Sequence, residues 1–153
     1  MILLKNLLLI LHVLTAAAWF GLSLRLGSQA KFAVAGHPAV AVDGSRTISL
    51  MGIMIFLTFV FSMSLLMVGG GYPGQIQYHI ASGLIVLLLG IQYLLLRPFW
   101  NSLRTAVESA SDSEVSEQSE KQVASRARSI AMTAGVCHLL WFTILILMFW
   151  NRF

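Results

Sequence analysis

Long apolar runs separated by polar connections dominate the pattern of this chain. Leu7 to Leu24, Leu50 to Val68, Tyr78 to Leu96 and Ala131 to Trp150 are eighteen to twenty residues long and contain no Asp, Glu, Lys or Arg. At about 1.5 Å per residue, a helix of that length crosses roughly 30 Å of hydrocarbon. The predicted fold class is therefore all-α: an integral membrane four-helix bundle, up-down and antiparallel. Residues 1–153 read as a single transmembrane domain.

Composition agrees. Of 153 residues, 58% are hydrophobic and 10% charged, against about a quarter charged in soluble domains. The net charge of +4 would suggest nucleic acid in a soluble protein. Here the basic residues lie between spans, so they report orientation, and no nucleic-acid partner is expected. Arg25, Lys31, Arg46, Arg97, Arg104, Lys121, Arg126 and Arg128 fall on the side of the connections 25–49 and 97–130, and only Lys5 and Arg152 on the side of the termini. The expectation is cytoplasmic connections with both termini on the non-cytoplasmic side. No Rossmann glycine fingerprint, P-loop, zinc finger or nucleophile elbow is present. Lys5 and Ala16-Ala17-Ala18 imitate a signal peptide, but the apolar run continues through Trp19-Phe20-Gly21-Leu22, so the first span is expected to remain in the mature protein.

The connections read as follows. Gly69 to Gly74 makes a short uncharged turn that sets the second and third helices antiparallel. Residues 101–127, rich in serine and charge, lack the apolar residues for a core of their own and are expected to extend the flanking helices into the cytoplasm as a solvated hairpin. Asp43 or Ser45 is expected to cap the second helix, and His37 to be solvated. Trp100 and Trp150 mark membrane interfaces. The single cysteine, Cys137, has no partner and reads as a small apolar filler.

Candidate chemistry rests on His12, His79 and His138, one in each of three spans. Every polar ring inside hydrocarbon must find partners, and an ionisable residue there is a functional-site candidate. From span midpoints at about 1.5 Å per residue, His12 lies roughly 5 Å and His79 roughly 12 Å toward the termini, and His138 roughly 4 Å toward the connections. That spread is too wide for a compact zinc cluster. Haem iron needs only one or two axial ligands, and an apolar bundle interior suits the macrocycle. His12, between the other two in depth, is placed to pair with either His79 or His138 across a haem in the outer half of the bundle. Trp19 and Trp141 lie within spans and read first as lipid or core packing, with packing on the macrocycle as the alternative. Without a Cys-x-x-Cys-His motif, attachment would be non-covalent, as in haem b. Met51, Met54, Met63 and Met67 on the second helix offer thioethers to Cu(I), the alternative metal.

The run Leu11-His12-Val13-Leu14-Thr15-Ala16-Ala17-Ala18-Trp19-Phe20-Gly21 resembles the first helix of the HemJ-type protoporphyrinogen oxidases and the start of the copper-resistance D (CopD) membrane family. The third span, Tyr78-His79-Ile80-Ala81-Ser82-Gly83, followed by Arg97, is similar to their later helices. The likeness covers about the first hundred residues, and its sharp motif is the one around His12. It implies that His12 ligates haem b. The lysine those oxidases carry early in the third helix has no counterpart at Ile80, Ala81 or Ser82, so the resemblance speaks for haem before it speaks for the enzyme. The expected protein is a b-type haem protein of a bacterial inner membrane, for electron transfer or diatomic gas binding. The alternatives are a protoporphyrinogen oxidase-like oxidoreductase and a copper transport or resistance component. Its partners would be the lipid bilayer, a redox protein and a second copy in a homodimer.

Overall fold

The computed structural model describes residues 2–70, 75–112 and 117–150. These are all helical apart from short turns: α1 is Ile2–Val34, α2 Pro38–Val68, α3 Ile76–Ile91, α4 Arg97–Asp112 and α5 Glu117–Phe149. A π-helical turn, Gln92–Leu96, joins α3 to α4 without a break. The described residues thus form four rods, each with a segment long and apolar enough to cross a membrane.

Cross-helix pairs show the direction of each rod. Arg25 meets Asp43 while His12 meets Thr58, so α1 and α2 run antiparallel. Trp100 reaches Ala41 while Gln92 reaches Ile48, which sets α4 and α3 antiparallel to α2. Ser23 meets His138 and Phe20 stacks on Trp141, which places α5 antiparallel to α1.

Each rod buries a narrow stripe. On α1 it comprises His12, Trp19, Ser23, Leu26, Ala30 and Ala33; on α2, Ala41, Gly44, Ile48, Met51, Ile55 and Thr58. Ala81, Ile85, Leu88, Gln92, Leu96, Trp100, Leu103 and Val107 continue the stripe unbroken from α3 into α4. Steps of three and four residues make one helix face. The opposite faces are apolar too: Ile10, Val13, Leu14, Phe56, Val86 and Leu139 are exposed. Such all-round apolarity belongs to a helix surrounded by lipid.

The register places Arg25, Arg46 and Arg97 within about one turn of a common depth, because Arg25 faces Asp43 and Trp100 faces Ala41. Lys5 lies twenty residues before Arg25, about 30 Å along the helix. A hydrocarbon layer fits between these two levels.

Several expectations change. Residues 25–49 are not a loop: α1 runs to Val34, α2 starts at Pro38, and the reversal needs only a turn with Gly36 at φ 88°. Asp43 and Ser45 lie inside α2 and cap nothing; His37 precedes it, with proline in the first turn and no side-chain cap. Asp43 instead accepts from Arg25 Nη2 and Gln29 Nε2, both at 2.7 Å. Nor does the second connection lack apolar anchors. Trp100, Leu103, Val107, Val123 and Ile130 are buried and share one core with Leu26, Ala33 and Ala41, so the bundle continues past the arginine level. Trp100 is not an interface marker: it is 1% exposed and its Nε1–H donates to the Ala41 carbonyl at 2.9 Å. Of the glycine turn, Gly69 and Gly70 close α2, and residues 71–74 lie outside the described residues.

The Asp43 contacts yield a test. The Arg25–Asp43 pair is exposed and worth under about 1 kcal/mol, but buried Gln29 loses its acceptor with it. Asp43→Ala is expected to destabilise by about 1–2 kcal/mol, measured by reversible unfolding in mixed micelles, whereas Arg25→Ala should have little effect. Equal effects would mean that Gln29 gains nothing from the carboxylate.

Candidate functional site

His12 sits on α1 with lipid-facing Val13 and Leu14 beside it, and is itself 5% exposed. Its Nδ1 lies 3.2 Å from the carbonyl oxygen of Thr58 on α2. A carbonyl only accepts, so the neutral ring carries its proton on Nδ1 and leaves the Nε2 lone pair for another partner. The Thr58 hydroxyl reaches Thr15 Oγ1 at 3.0 Å, with the Met54 carbonyl at 2.8 Å as an alternative acceptor, and Thr15 donates to the Leu11 carbonyl at 2.9 Å. These bonds lock α1 to α2 at the depth of the imidazole.

The ring lines a cavity of about 50 Å³ where all four rods meet. Ala16 and Trp19 on α1, Ile55 and Thr58 on α2, Ile85 and Leu88 on α3, and Trp141, Ile144, Leu145 and Met148 on α5 complete it. Ala16 leaves space that a larger side chain would fill. The walls are otherwise apolar, and Trp19 is 1% exposed with its indole N–H unpaired.

The other two histidines are elsewhere. His138 Nε2 lies 2.7 Å from Ser23 Oγ. Because Ser23 donates to the Phe20 carbonyl at 2.7 Å, the imidazole is the donor in that pair. Phe20 packs edge-on against His138 with ring centres 5.4 Å apart, and stacks on Trp141 at 4.4 Å. Ser23 is eleven residues along α1 from His12, about 16 Å along the axis. His138 is therefore within a turn of the Arg25 level, not near mid-membrane, because α5 enters the hydrocarbon later than its apolar run suggests. His79 is exposed on α3, two turns toward the Lys5 end from Ile85 of the cavity wall. His12 and His138 cannot share one iron across that separation, and His79 does not face the cavity. Among the described residues no three of His, Cys, Asp and Glu are grouped to hold a metal ion.

For haem, the donor chemistry fits and the packed volume does not. A histidine whose second nitrogen is anchored to a carbonyl is the arrangement that orients an imidazole toward a metal. A macrocycle needs several hundred Å³, as ligand sites generally do, so it enters only if Trp19, Trp141 and Met148 move and the α1–α5 seam parts. As packed, the cavity suits water, a diatomic molecule or a bare ion. Met51 is buried and Met67 exposed, and neither borders the cavity.

Sequence reasoning singles out His12 and both tryptophans but misses Thr58, Gln92 and Met148. Thr58 and Gln92 do carry a signal, as polar side chains inside apolar spans; Met148 carries none. No protein-family model matches this chain, and neither a curated protein nor a solved structure matches it, so the functional reading rests on its own residues.

Proposed function

We propose that this chain is an integral membrane b-type haem protein in which His12 is the axial ligand. The observation that carries the reading is the His12 imidazole, anchored through Nδ1 to the Thr58 carbonyl and lining an apolar cavity where four membrane-length helices meet. The resemblance of the His12 to Gly21 run to haem-ligating first helices supports the same role. Bound haem would supply one-electron exchange or, with one iron position open, diatomic gas binding. The chain's own part is to hold Nε2 unprotonated, to surround the site with the apolar side chains of Ile55, Ile85 and Ile144, and to accommodate the macrocycle by parting α1 from α5. The excess of basic residues beyond the Arg25 level supports a cytoplasmic position for that end, with both termini outside, and the resemblance supports a bacterial inner membrane.

The first test is the absorption spectrum of detergent-purified protein, oxidised and dithionite-reduced, with a pyridine haemochrome assay. Haem b bands at a stoichiometric level are expected. Their absence after expression with ample haem would overturn the reading.

A copper reading has one observation in its favour. Met148, rather than any methionine of α2, shares the small cavity with His12, and a thioether with an imidazole suits Cu(I). That reading predicts about one Cu(I) per chain by metal analysis, lost in Met148→Leu and kept in Met51→Leu. Retention of copper in both variants would remove it.

A further inference from the structure

The bundle interior holds unpaired polar atoms at successive depths. Trp19 Nε1, Gln92 Oε1 and Gln29 Oε1 are buried without a hydrogen-bond partner, on side chains 1%, 1% and 4% exposed. Each such atom forfeits, if dry, the hydrogen bond it had in water, and hydrocarbon offers nothing to offset the loss. The amide orientations are forced, since Gln29 Nε2 donates to Asp43 Oδ2 at 2.7 Å and Gln92 Nε2 to the Ile48 carbonyl at 3.1 Å. Flipping either amide would set oxygen against oxygen.

Their order along the bundle points to a ligand. Gln29 lies beside Asp43 at the arginine end. Gln92 is held at Ile48, five residues further along α2 and about 8 Å deeper. The buried hydroxyl of Thr47 is at the same depth. Trp19 is ten residues from Gln29, about 15 Å deeper, and borders the His12 cavity. Each step advances about 7–8 Å along the bundle axis. The π-helical turn that begins at Gln92 offsets α3 from α4 while the buried stripe continues across it. Such turns occur often at functional sites. A fourth unpaired atom, Gln77 Nε2, belongs to a partly exposed residue toward the Lys5 end, away from this series.

We propose that a file of water molecules runs from Gln29 and Asp43, past Gln92 and Trp19, to the cavity beneath His12. The cavity, apolar and lipid-wrapped, is thereby open to water and protons from the arginine end. Buried waters of this kind bridge polar groups that the chain leaves unpaired. The route belongs to the bundle as packed, with Trp19 bordering the cavity.

Indole proton exchange tests it in the full chain, labelled with 15N-tryptophan in detergent micelles, with the four indole signals assigned by single Trp→Phe variants. Trp100 is the internal reference, since its N–H is bonded to Ala41. Trp19 is expected to exchange at least about tenfold faster than Trp100, with a cross-peak to water, and Gln92→Leu should slow Trp19 while leaving Trp100 unchanged. Should Gln92→Leu displace the Trp100 signal, Gln29→Leu makes the same test from the mouth of the route. Protection of Trp19 equal to that of Trp100 in the unsubstituted protein overturns the proposal, as does a Trp19 rate indifferent to both glutamine variants.

Discussion

Replacing His12 by alanine is expected to lower haem content by about tenfold or more, since loss of even a supporting partner of a metal ligand costs about 10- to 100-fold in affinity. His79→Ala and His138→Ala should retain the Soret band. The asymmetry comes from geometry. His12 alone lines the four-helix cavity with Nδ1 anchored, whereas His138 sits beside Ser23, about 16 Å away along the axis, and His79 is exposed. Substitution at position 12 leaves the Thr15–Thr58 hydrogen bond, so the bundle should still assemble. Helicity by circular dichroism and elution as a discrete micellar species would separate loss of haem from loss of fold. A Soret band undiminished in His12→Ala, with the fold intact, would remove His12 as the ligand; loss of the band in His138→Ala alone would move the site toward the arginine end.

The largest stability effect is expected at a glycine. A Cβ built on Gly44 would collide with Trp100 Cζ2 and fall 2.6 Å from two further ring atoms. The indole cannot yield cheaply, because its N–H is bonded to Ala41 one turn earlier on the same helix. Gly44→Ala should therefore expel the ring, adding an overpacking cost of about 1–3 kcal/mol to a buried hydrogen bond worth about 1 kcal/mol. A combined loss of about 3 kcal/mol would appear as a clear shift of the unfolding midpoint in mixed micelles. Gly44→Ala combined with Trp100→Leu should cost less than the two changes added, since removing the ring removes the collision. Gly52→Ala is the natural comparison: its Cβ would meet Tyr93 Oη at 2.9 Å, the far end of a ring exposed enough to swing aside. Equal costs at Gly44 and Gly52 would mean that the Trp100 contact is not the constraint.

Part of the site is legible in the amino-acid sequence. A histidine within an apolar run stands out in lipid, since it must be satisfied from inside the bundle, and His12, His79 and His138 are all visible on that ground. Their depths are less so. The apolar run alone sets His138 about one turn too deep, because α5 begins at Glu117 and the run overlaps the part that packs beyond the arginine level. Trp100 looks like an interface marker because it follows a span, but the span continues as one rod through Gln92–Leu96 into α4 and carries the indole into the core. Asp43 looks like a cap because polar residues often start helices. Pro38, suited to a first turn, starts this one earlier, and Asp43 then faces Arg25 and Gln29.

Chain length and the spacing of charge determine the coarse architecture by themselves. Four uncharged runs of membrane length, in a chain with 10% charged residues, admit little besides a helical bundle across a bilayer, since hydrocarbon leaves each backbone amide to be satisfied within its own helix. Which face of each helix turns inward is decided only by the tertiary structure. In water the apolar face declares itself; in lipid both faces are apolar, as exposed Val13 and Leu14 beside buried His12 show, and periodicity loses its meaning. Inward direction is then set by small residues that allow close approach and by polar groups that must find one another across helices, such as Gly44 under Trp100 and Thr58 against His12. Those pairings join residues far apart in the chain, and only the packed bundle brings them together.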